Sequence, residues 1–179
     1  MRNLAVSATL AVAAVLSAPA AQADPTGTAA PQPLTAYDVH DPAIANLDPV
    51  LRSAVQHATA AAATEGVTMT VTSGWRSPEF QQQLLDEAVG TYGNYEAARR
   101  YVQTPDRSRH VVGAAVDIGG PGADQWMITN GPRFGLCQIY ANEPWHFELS
   151  TDVFGGCPPL LPDAADTPEP GPDLGRRTG

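Results

Sequence analysis

The chain has 179 residues, which leaves room for one domain with extensions, and it carries a formal net charge of −9. All ten of its basic residues are arginine, so no lysine-rich face exists. An acidic chain of this kind argues against nucleic-acid binding and against electrostatic docking to an anionic membrane. The charge does not identify a substrate.

The first residues have the pattern of an export signal. Arg2 supplies a positive charge, residues 4–16 are mainly apolar, and residues 21–23 form a cleavage site of the A-x-A type. A membrane anchor is the alternative, but this apolar stretch is shorter than the ~20 residues of a bilayer span. We expect residues 1–23 to be a cleaved signal peptide. The mature protein is then soluble, without a membrane span, in the secreted, periplasmic or cell-wall space.

Composition divides the rest of the chain into three parts. Residues 24–45 are rich in Pro, Thr and Ala with little periodicity, which predicts a flexible N-terminal leader. Residues 158–179 are rich in Pro, Asp and Gly, which predicts a disordered tail because few apolar side chains are available for burial. The folded domain is therefore predicted to span residues 46–157.

Inside that domain, two helices have clear start signals. Asp48-Pro49 and Ser77-Pro78 each place an N-cap residue before a proline in the first helical turn. Gly66 and Gly90 are the predicted ends of these helices. Between the two helices, residues 67–72 alternate apolar and polar side chains, which is typical of a half-buried strand.

The second half of the domain contains shorter elements. In chain order they are predicted as a helix at 94–103, a strand at 114–118, a helical turn at 123–129, and a hairpin of 136–140 with 145–149. Helices and antiparallel strands that segregate along a chain indicate an α+β domain, here a small antiparallel sheet with flanking helices.

The chain has two cysteines, Cys137 and Cys157. In an oxidising compartment such a pair predicts one disulfide, which would close a loop of about 20 residues and stabilise the domain by ~3 kcal/mol. The alternative is a pair of zinc ligands, which is weaker because the sequence offers no second C-x-x-C motif.

Two of the four histidines lie in segments that also carry carboxylates. His110, Asp117 and His146 make a set that suits zinc, with a fourth position left for water. Asp117 interrupts an apolar strand, and a buried carboxylate needs a partner or a metal. Because His110 and Asp117 would point to opposite faces of a straight strand, the chain must bend between them, and Gly113 is the obvious place. Otherwise, Asp117 caps a turn and His110 is a surface residue.

Two further residues are candidates for catalysis. Glu143 lies three residues before His146 and could move a proton for a metal-activated water, or it could only shape the hairpin turn. Arg76 lies between a strand and a helix N-terminus, where its guanidinium could hold a substrate carboxylate or an oxyanion. A surface ion pair is the alternative for Arg76.

Three motifs occur in order: S-G-W-R-S at 73–77, S-x-H-x(6)-D at 108–117, and E-P-W-H at 143–146. Together they resemble the VanY/VanX-type D-Ala-D-Ala peptidases. That zinc family also includes the lysostaphin-type endopeptidases and the zinc-binding domain of hedgehog signalling proteins. The resemblance covers about residues 45–150. It implies a small α+β zinc domain whose antiparallel sheet carries the metal site.

The resemblance assigns roles to individual positions. It implies zinc ligands at His110, Asp117 and His146, and a general base at Glu143. It also implies cleft residues that lie near the substrate or shape the pocket wall, namely Arg76, Ser108, Gln81 and Trp145. For two nearby acids, Glu148 and Asp124, no role beyond surface or structure is predicted.

The function implied by the resemblance is zinc-dependent hydrolysis of the terminal D-Ala of peptidoglycan stem peptides. Because the segment between Arg76 and His110 is short, the bond that is cut stays open between carboxypeptidase, dipeptidase and endopeptidase. A non-catalytic zinc module that only binds cell-wall peptide is a third alternative, and the presence of Glu143 speaks against it. The expected protein is a monomer whose partner is a stem peptide ending in D-Ala-D-Ala.

Overall fold

A computed structural model describes residues 33–167 of the chain. Its centre is a four-stranded antiparallel sheet in the order β1-β2-β4-β3. The strands are β1 Thr70–Ser73, β2 Ala115–Gly119, β3 Leu136–Gln138 and β4 His146–Leu149. The predicted hairpin is confirmed, because β3 pairs with β4 from Leu136↔Leu149 to Gln138↔Phe147.

Five α-helices and two 3₁₀ turns accompany the sheet in the described part of the chain. The helices are α1 Pro42–Ala45, α2 Pro49–Thr64, α3 Pro78–Tyr92, α4 Tyr95–Arg99 and α5 Ala123–Asn130, and the 3₁₀ turns are Gly131–Phe134 and Ala164–Asp166. The α+β prediction is therefore confirmed, with a small antiparallel sheet and flanking helices.

The predicted helix starts are confirmed by their caps. The Asp48 carboxylate accepts hydrogen bonds from the backbone at the start of α2, and the Ser77 hydroxyl accepts one from Phe80 N–H at the start of α3. The predicted end of α3 at Gly90 is wrong. Gly90 continues the helix, which stops at Gly93 because that residue adopts the left-handed conformation (φ 84°) and its N–H bonds back to Val89.

The main core forms where α2 meets the sheet and α5. The side chains of α2 that repeat at helical spacing are fully buried, as are the core-facing residues of β2 and β4. Members of this core include Leu51, Val55, Ala58, Ala62, Val116, Ile118, Met127 and Phe147. A smaller cluster joins α3 to α4 through Leu85, Ala88 and Ala98. These contacts fix the sheet, whose other face carries the polar site.

The N-terminal boundary of the fold differs from the prediction. Residues 33–45 belong to the domain and not to a flexible leader, since Ala36 and Ile44 are buried in the main core. The carbonyl of Leu34 accepts a hydrogen bond from Val71 N–H, and that of Ala43 accepts one from Trp75 N–H. A few apolar side chains are enough to order this segment, because they pack into the main core that the sheet helps to form. The expected signal peptide and residues 24–32 lie outside the described residues.

The C-terminal boundary also differs from the prediction. Leu161 forms an isolated bridge with Tyr140, and its backbone bonds to the chain on both sides of that residue. The buried Asp163 carboxylate accepts a hydrogen bond from Arg100, and Ala164 is buried beside it. Residues 158–167 are therefore ordered because long-range contacts compensate for their proline-rich composition. Residues 168–179 of the predicted tail lie outside the described residues.

The predicted disulfide is present between Cys137 and Cys157. It ties β3 to the loop that follows β4, across a sequence separation of 20 residues. Among residues 33–167, no helix combines the length and the apolar character that crossing a membrane requires.

Candidate metal centre and active-site cleft

Strand pairing brings two of the predicted ligands together. Asp117 lies on β2 directly opposite His146 on β4, and Ser73 lies opposite Asp117 on β1, so the three residues form a row across the sheet. His110 reaches the same place from the turn before β2. That turn contains Gly113 at φ 69°, which confirms the predicted bend between His110 and Asp117.

The three ligand atoms form a nearly equilateral triangle. His110 Nε2 lies 3.3 Å from His146 Nδ1 and 3.4 Å from Asp117 Oδ1, and His146 Nδ1 lies 3.2 Å from Asp117 Oδ1. For ligands about 2.0–2.1 Å from a tetrahedral zinc ion, the expected separation is about 3.3–3.4 Å. All three residues are buried. The spacing and burial of this group therefore fit one zinc ion.

Hydrogen bonds orient both imidazole rings. His110 Nδ1 donates to the carbonyl of Gly74 over 2.8 Å, which leaves Nε2 as its candidate ligand atom. His146 Nε2 lies 3.1 Å from Glu148 Oε1, which leaves Nδ1 facing Asp117. Each histidine thus presents one ring nitrogen to the same point, Nε2 from His110 and Nδ1 from His146, as a shared metal requires.

The charges at the triangle reflect its burial. Burial disfavours the Asp117 anion, but the charge and hydrogen bonds of the two histidines outweigh this effect and hold its pKa well below the ordinary value. Burial disfavours the His146 cation, yet hydrogen bonds to Asp117 and Glu148 raise its pKa to about 9. Burial lowers the pKa of His110. Asp117 is therefore an anion at neutral pH, as a carboxylate metal ligand must be.

Glu143 stands beside the triangle on the β3–β4 connection. Its Oε2 lies 3.9 Å from His146 Nδ1, and its Oε1 is buried and accepts no hydrogen bond from any residue within 33–167. Burial raises the pKa of Glu143 to about 7. A carboxylate with this pKa and a free oxygen can take up and release a proton near neutral pH.

Arg76 is the centre of a hydrogen-bond fork after β1. Its Nε donates to Ser73 Oγ over 2.7 Å, Nη1 to Gln81 Oε1 over 3.1 Å, and Nη2 to Asp117 Oδ2 over 2.8 Å. Gln81 is itself buried and donates to the carbonyl of Gln103. Arg76 therefore holds the carboxylate of a candidate ligand, a contact that its sequence motif does not reveal.

All eight predicted site residues line one cleft of about 230 Å³. They are Arg76, Gln81, Ser108, His110, Asp117, Glu143, Trp145 and His146. Trp145 is 43% exposed and forms part of the wall, whereas Ser108 is buried at the base of the turn that carries His110. The cleft also includes residues with no predicted role, namely Tyr101, Gln103, Arg107, Arg109 and Tyr140.

Glu148 is a site residue without a predicted role. Its side chain is buried, and it contacts His146 through Oε1 and Arg109 through Oε2, the latter over 2.9 Å. The sequence signal was the spacing of two residues from His146, because alternate residues of a strand share a face. Asp124, the other acid without a predicted role, lies in the first turn of α5 and bonds only locally to Gln125 N–H among the described contacts.

Comparisons with known proteins agree with this geometry. A D-alanyl-D-alanine carboxypeptidase of Enterococcus faecalis (strain ATCC 700802 / V583) is 32% identical over 124 residues, covering 52% of this chain and 46% of the relative. This chain thus spans a little under half the length of that relative.

Two solved structures extend the likeness to the fold. A variant of the vancomycin-resistance D,D-pentapeptidase VanY from a VanB-type resistance cassette, in complex with Zn(II), is 32% identical with a TM-score of 0.55, covering 65% of this chain and 82% of that chain. VanYB in complex with D-alanine-D-alanine is 31% identical with a TM-score of 0.53, covering 57% of this chain and 70% of that chain.

The family model that describes VanY, D-alanyl-D-alanine carboxypeptidase, matches residues 45–151. This range is more than half of the chain and includes every predicted ligand and cleft residue together with Glu148. The chain belongs to the VanY family of D-alanyl-D-alanine carboxypeptidases.

Proposed function

We propose that this chain is a zinc-dependent D,D-carboxypeptidase that removes the terminal D-alanine from peptidoglycan stem peptides ending in D-Ala-D-Ala. The observation that carries the proposal is the triangle of His110, Asp117 and His146, with the edges of a zinc tetrahedron and with Glu143 beside it. Family membership supports the proposal, as do the Zn(II) and D-alanine-D-alanine complexes of its structural relatives.

In this proposal the zinc ligands are His110 Nε2, Asp117 Oδ1 and His146 Nδ1. Zinc, when bound, lowers the pKa of a coordinated water to about 7 and polarises a carbonyl group. Two histidine nitrogens and one carboxylate oxygen would suit this ion, because catalytic zinc sites commonly use three such protein ligands and keep a fourth position for water. No other group of three such side chains in residues 33–167 converges in this way.

Glu143 is the general base and then the general acid of the proposed reaction. Its carboxylate accepts a proton from the attacking water as the new C–O bond forms at the carbonyl of the penultimate D-alanine. The same carboxyl group then gives that proton to the nitrogen of the leaving D-alanine as the C–N bond breaks. Its place beside the triangle, with an Oε1 that has no hydrogen-bond partner among residues 33–167, leaves the carboxyl group available for both transfers.

Arg76 and Ser108 orient the peptide in the proposed complex. Arg76 spends three of its five N–H groups on Ser73, Gln81 and Asp117, so two remain for the carbonyl oxygen or the carboxylate of the substrate. The Ser108 hydroxyl supplies one further donor in the same cleft. The Trp145 indole forms an apolar wall against which a D-alanine methyl group packs.

The proposed substrate lies outside the cytoplasm, so the proposal includes export. Residues 1–23 then act as a cleaved signal peptide. The Cys137–Cys157 disulfide supports this location, because such bonds persist in oxidising compartments.

The direct test is incubation of the mature, zinc-loaded protein with a synthetic stem pentapeptide that ends in D-Ala-D-Ala. Free D-alanine is the expected product, and EDTA should abolish its release. A matched pentapeptide that ends in L-Ala-L-Ala should stay intact. Hydrolysis of free D-Ala-D-Ala beside an intact pentapeptide would indicate a dipeptidase instead. Cleavage within cross-linked wall would indicate an endopeptidase. Zinc binding without any hydrolysis would indicate a binding module.

A further inference from the structure

We propose that Glu148 is a positioning residue that fixes the ring of His146 for metal binding, and that Arg109 holds Glu148 in place. The inference rests on the proposed zinc site and adds an outer layer to it. It stands on two contacts: Glu148 Oε1 lies 3.1 Å from His146 Nε2, and Glu148 Oε2 accepts a hydrogen bond of 2.9 Å from Arg109 Nε.

The strand β4 puts Glu148 where this contact is possible. Residues 146 and 148 alternate with Phe147, which is fully buried in the main core, so both polar side chains lie on the opposite face of the sheet. Glu148 pairs with Ala115 of β2 on one side and with Cys137 of β3 on the other. Because strands on both sides hold the backbone of Glu148, the position from which its side chain extends is fixed.

A buried carboxylate at this position destabilises the fold unless hydrogen bonds or opposite charges compensate its burial. Glu148 is only 8% exposed, and burial of a carboxylate without partners strongly destabilises a fold. Both of its oxygens are engaged, one by His146 and the other by Arg109. A carboxylate that accepts the second N–H of a ligating histidine fixes the tautomer and orients the ring, which makes the remaining nitrogen a better metal ligand.

The ion pair also connects the two segments that carry histidine ligands. Arg109 precedes His110 in the chain, whereas Glu148 follows His146 by two residues on β4. Closing the pair therefore holds the turn with His110 against the strand with His146. The Arg109 side chain is 44% exposed, which gives its ion pair a modest strength and makes Glu148 the larger contributor.

A structural ion pair elsewhere in the protein supplies a matched control. Glu65 accepts a hydrogen bond from the ring N–H of Trp126 over 2.8 Å and one from Arg133 over 3.3 Å. This pattern of one ring N–H and one arginine is the same as that of Glu148, but Glu65 does not line the cleft. A substitution of Glu65 thus reports the cost of losing such a pair without any effect on the metal.

The experiment measures the zinc dissociation constant of the mature protein by competition with a chromophoric chelator. The variants are Glu148→Leu, Glu148→Gln, Arg109→Gln and the control Glu65→Leu, each checked for folding by circular dichroism. We expect zinc binding to weaken about 10–100-fold in Glu148→Leu. Glu148→Gln should weaken it less, because its amide oxygen still accepts the His146 N–H, and Arg109→Gln should weaken it least.

Two results would overturn the inference. One is a folded Glu148→Leu, or Glu148→Gln if the leucine variant does not fold, that binds zinc as tightly as the wild type and gives the same absorption spectrum with cobalt(II). The other is an equal loss of affinity in Glu65→Leu. The readout is independent of turnover, so a protein that binds zinc through Glu148-supported His146 yet releases no D-alanine would refute the proposed function alone.

Discussion

Arg76 and Asp117 form an ion pair of 2.8 Å that joins the segment after β1 to the centre of β2. The pair engages Asp117 Oδ2, while Oδ1 of the same carboxylate faces His110 and His146. One oxygen is thus reserved for the arginine and the other for the metal position. In the proposed zinc site, Arg76 therefore orients the metal ligand Asp117 and also contacts the substrate.

Replacing Arg76 by lysine should therefore impair metal binding as well as catalysis. Lysine has no planar fork, so it cannot serve Ser73, Gln81 and Asp117 together. We expect Arg76→Lys to weaken zinc binding about 10–100-fold and to lower kcat/KM further. Equilibrium competition and D-alanine release measure the two effects separately. Arg133→Lys, at the Glu65 pair, is the control, and normal zinc affinity in Arg76→Lys would contradict the account.

Glu143 should be required for turnover and not for metal binding. Its nearest oxygen lies 3.9 Å from His146 Nδ1, and no hydrogen bond among the described residues connects it to the ligand triangle. We expect Glu143→Gln to lower kcat by about 10²–10⁴-fold. Zinc content, measured by atomic absorption, should stay at one ion per chain. Retained zinc with unchanged kcat would remove Glu143 from the mechanism.

The same residue should make the metal-free protein sensitive to pH. Burial raises the pKa of Glu143 from 4.5 to about 7, so the folded state binds a proton that the unfolded state has lost between these values. Stability contributed by the protonated group is present below about pH 4.5 and is lost as the pH rises through about 7. We expect Glu143→Gln to be more stable than the wild type above pH 7, by ~3 kcal/mol at most.

Urea unfolding in EDTA at pH 5 and pH 8.5 measures this difference. The advantage of Glu143→Gln should be larger at the higher pH. Glu87→Gln, on the exposed face of α3, is the control for the change of side chain. If the stability difference between Glu143→Gln and the wild type were the same at both pH values, ionisation of Glu143 would not destabilise the fold.

Substitution of Gly113 should impair both folding and zinc binding, because this glycine forms the bend between the candidate ligands His110 and Asp117. Its φ of 69° is strained for other residues, and an added Cβ would lie 2.3 Å from the carbonyl oxygen of Asn46. Gly66 has a similar φ of 78°, but nothing lies within 4 Å of its added Cβ. We expect Gly66→Ala to cost about 1–2 kcal/mol of stability and Gly113→Ala to cost more and also to weaken zinc binding. If Gly113→Ala and Gly66→Ala had the same effects on thermal unfolding and on zinc affinity, this prediction would be wrong.

The sequence predicted those elements whose signals are local. The caps at Asp48 and Ser77 were visible because capping depends on a few adjacent residues. The order of the strands was not predictable, since β2 pairs with β1 and β4 through contacts far apart in the chain. The boundaries at residues 33–45 and 158–167 were wrong for the same reason: their order depends on partners that composition does not reveal.

Site residues that lie in sequence motifs were predictable, whereas ion pairs between residues on different strands were not. The motifs identified His110, Asp117, His146 and Glu143, which the structure brings together in one cleft. An ion pair was an alternative for Arg76, but its partner, the buried Asp117, was missed, as were the contacts of Glu148. The partner of an arginine or a glutamate cannot be identified from the sequence when it lies on another strand.

In the proposed function, one zinc ion held by His110, Asp117 and His146 is required for hydrolysis of D-Ala-D-Ala. The most direct measurement is the rate of D-alanine release from a stem pentapeptide during stepwise addition of zinc to the metal-free mature protein. We expect no release without metal, then a linear rise in rate with added zinc and a plateau at one zinc per chain. Release by metal-free protein, or a rate that does not respond to zinc, would contradict it.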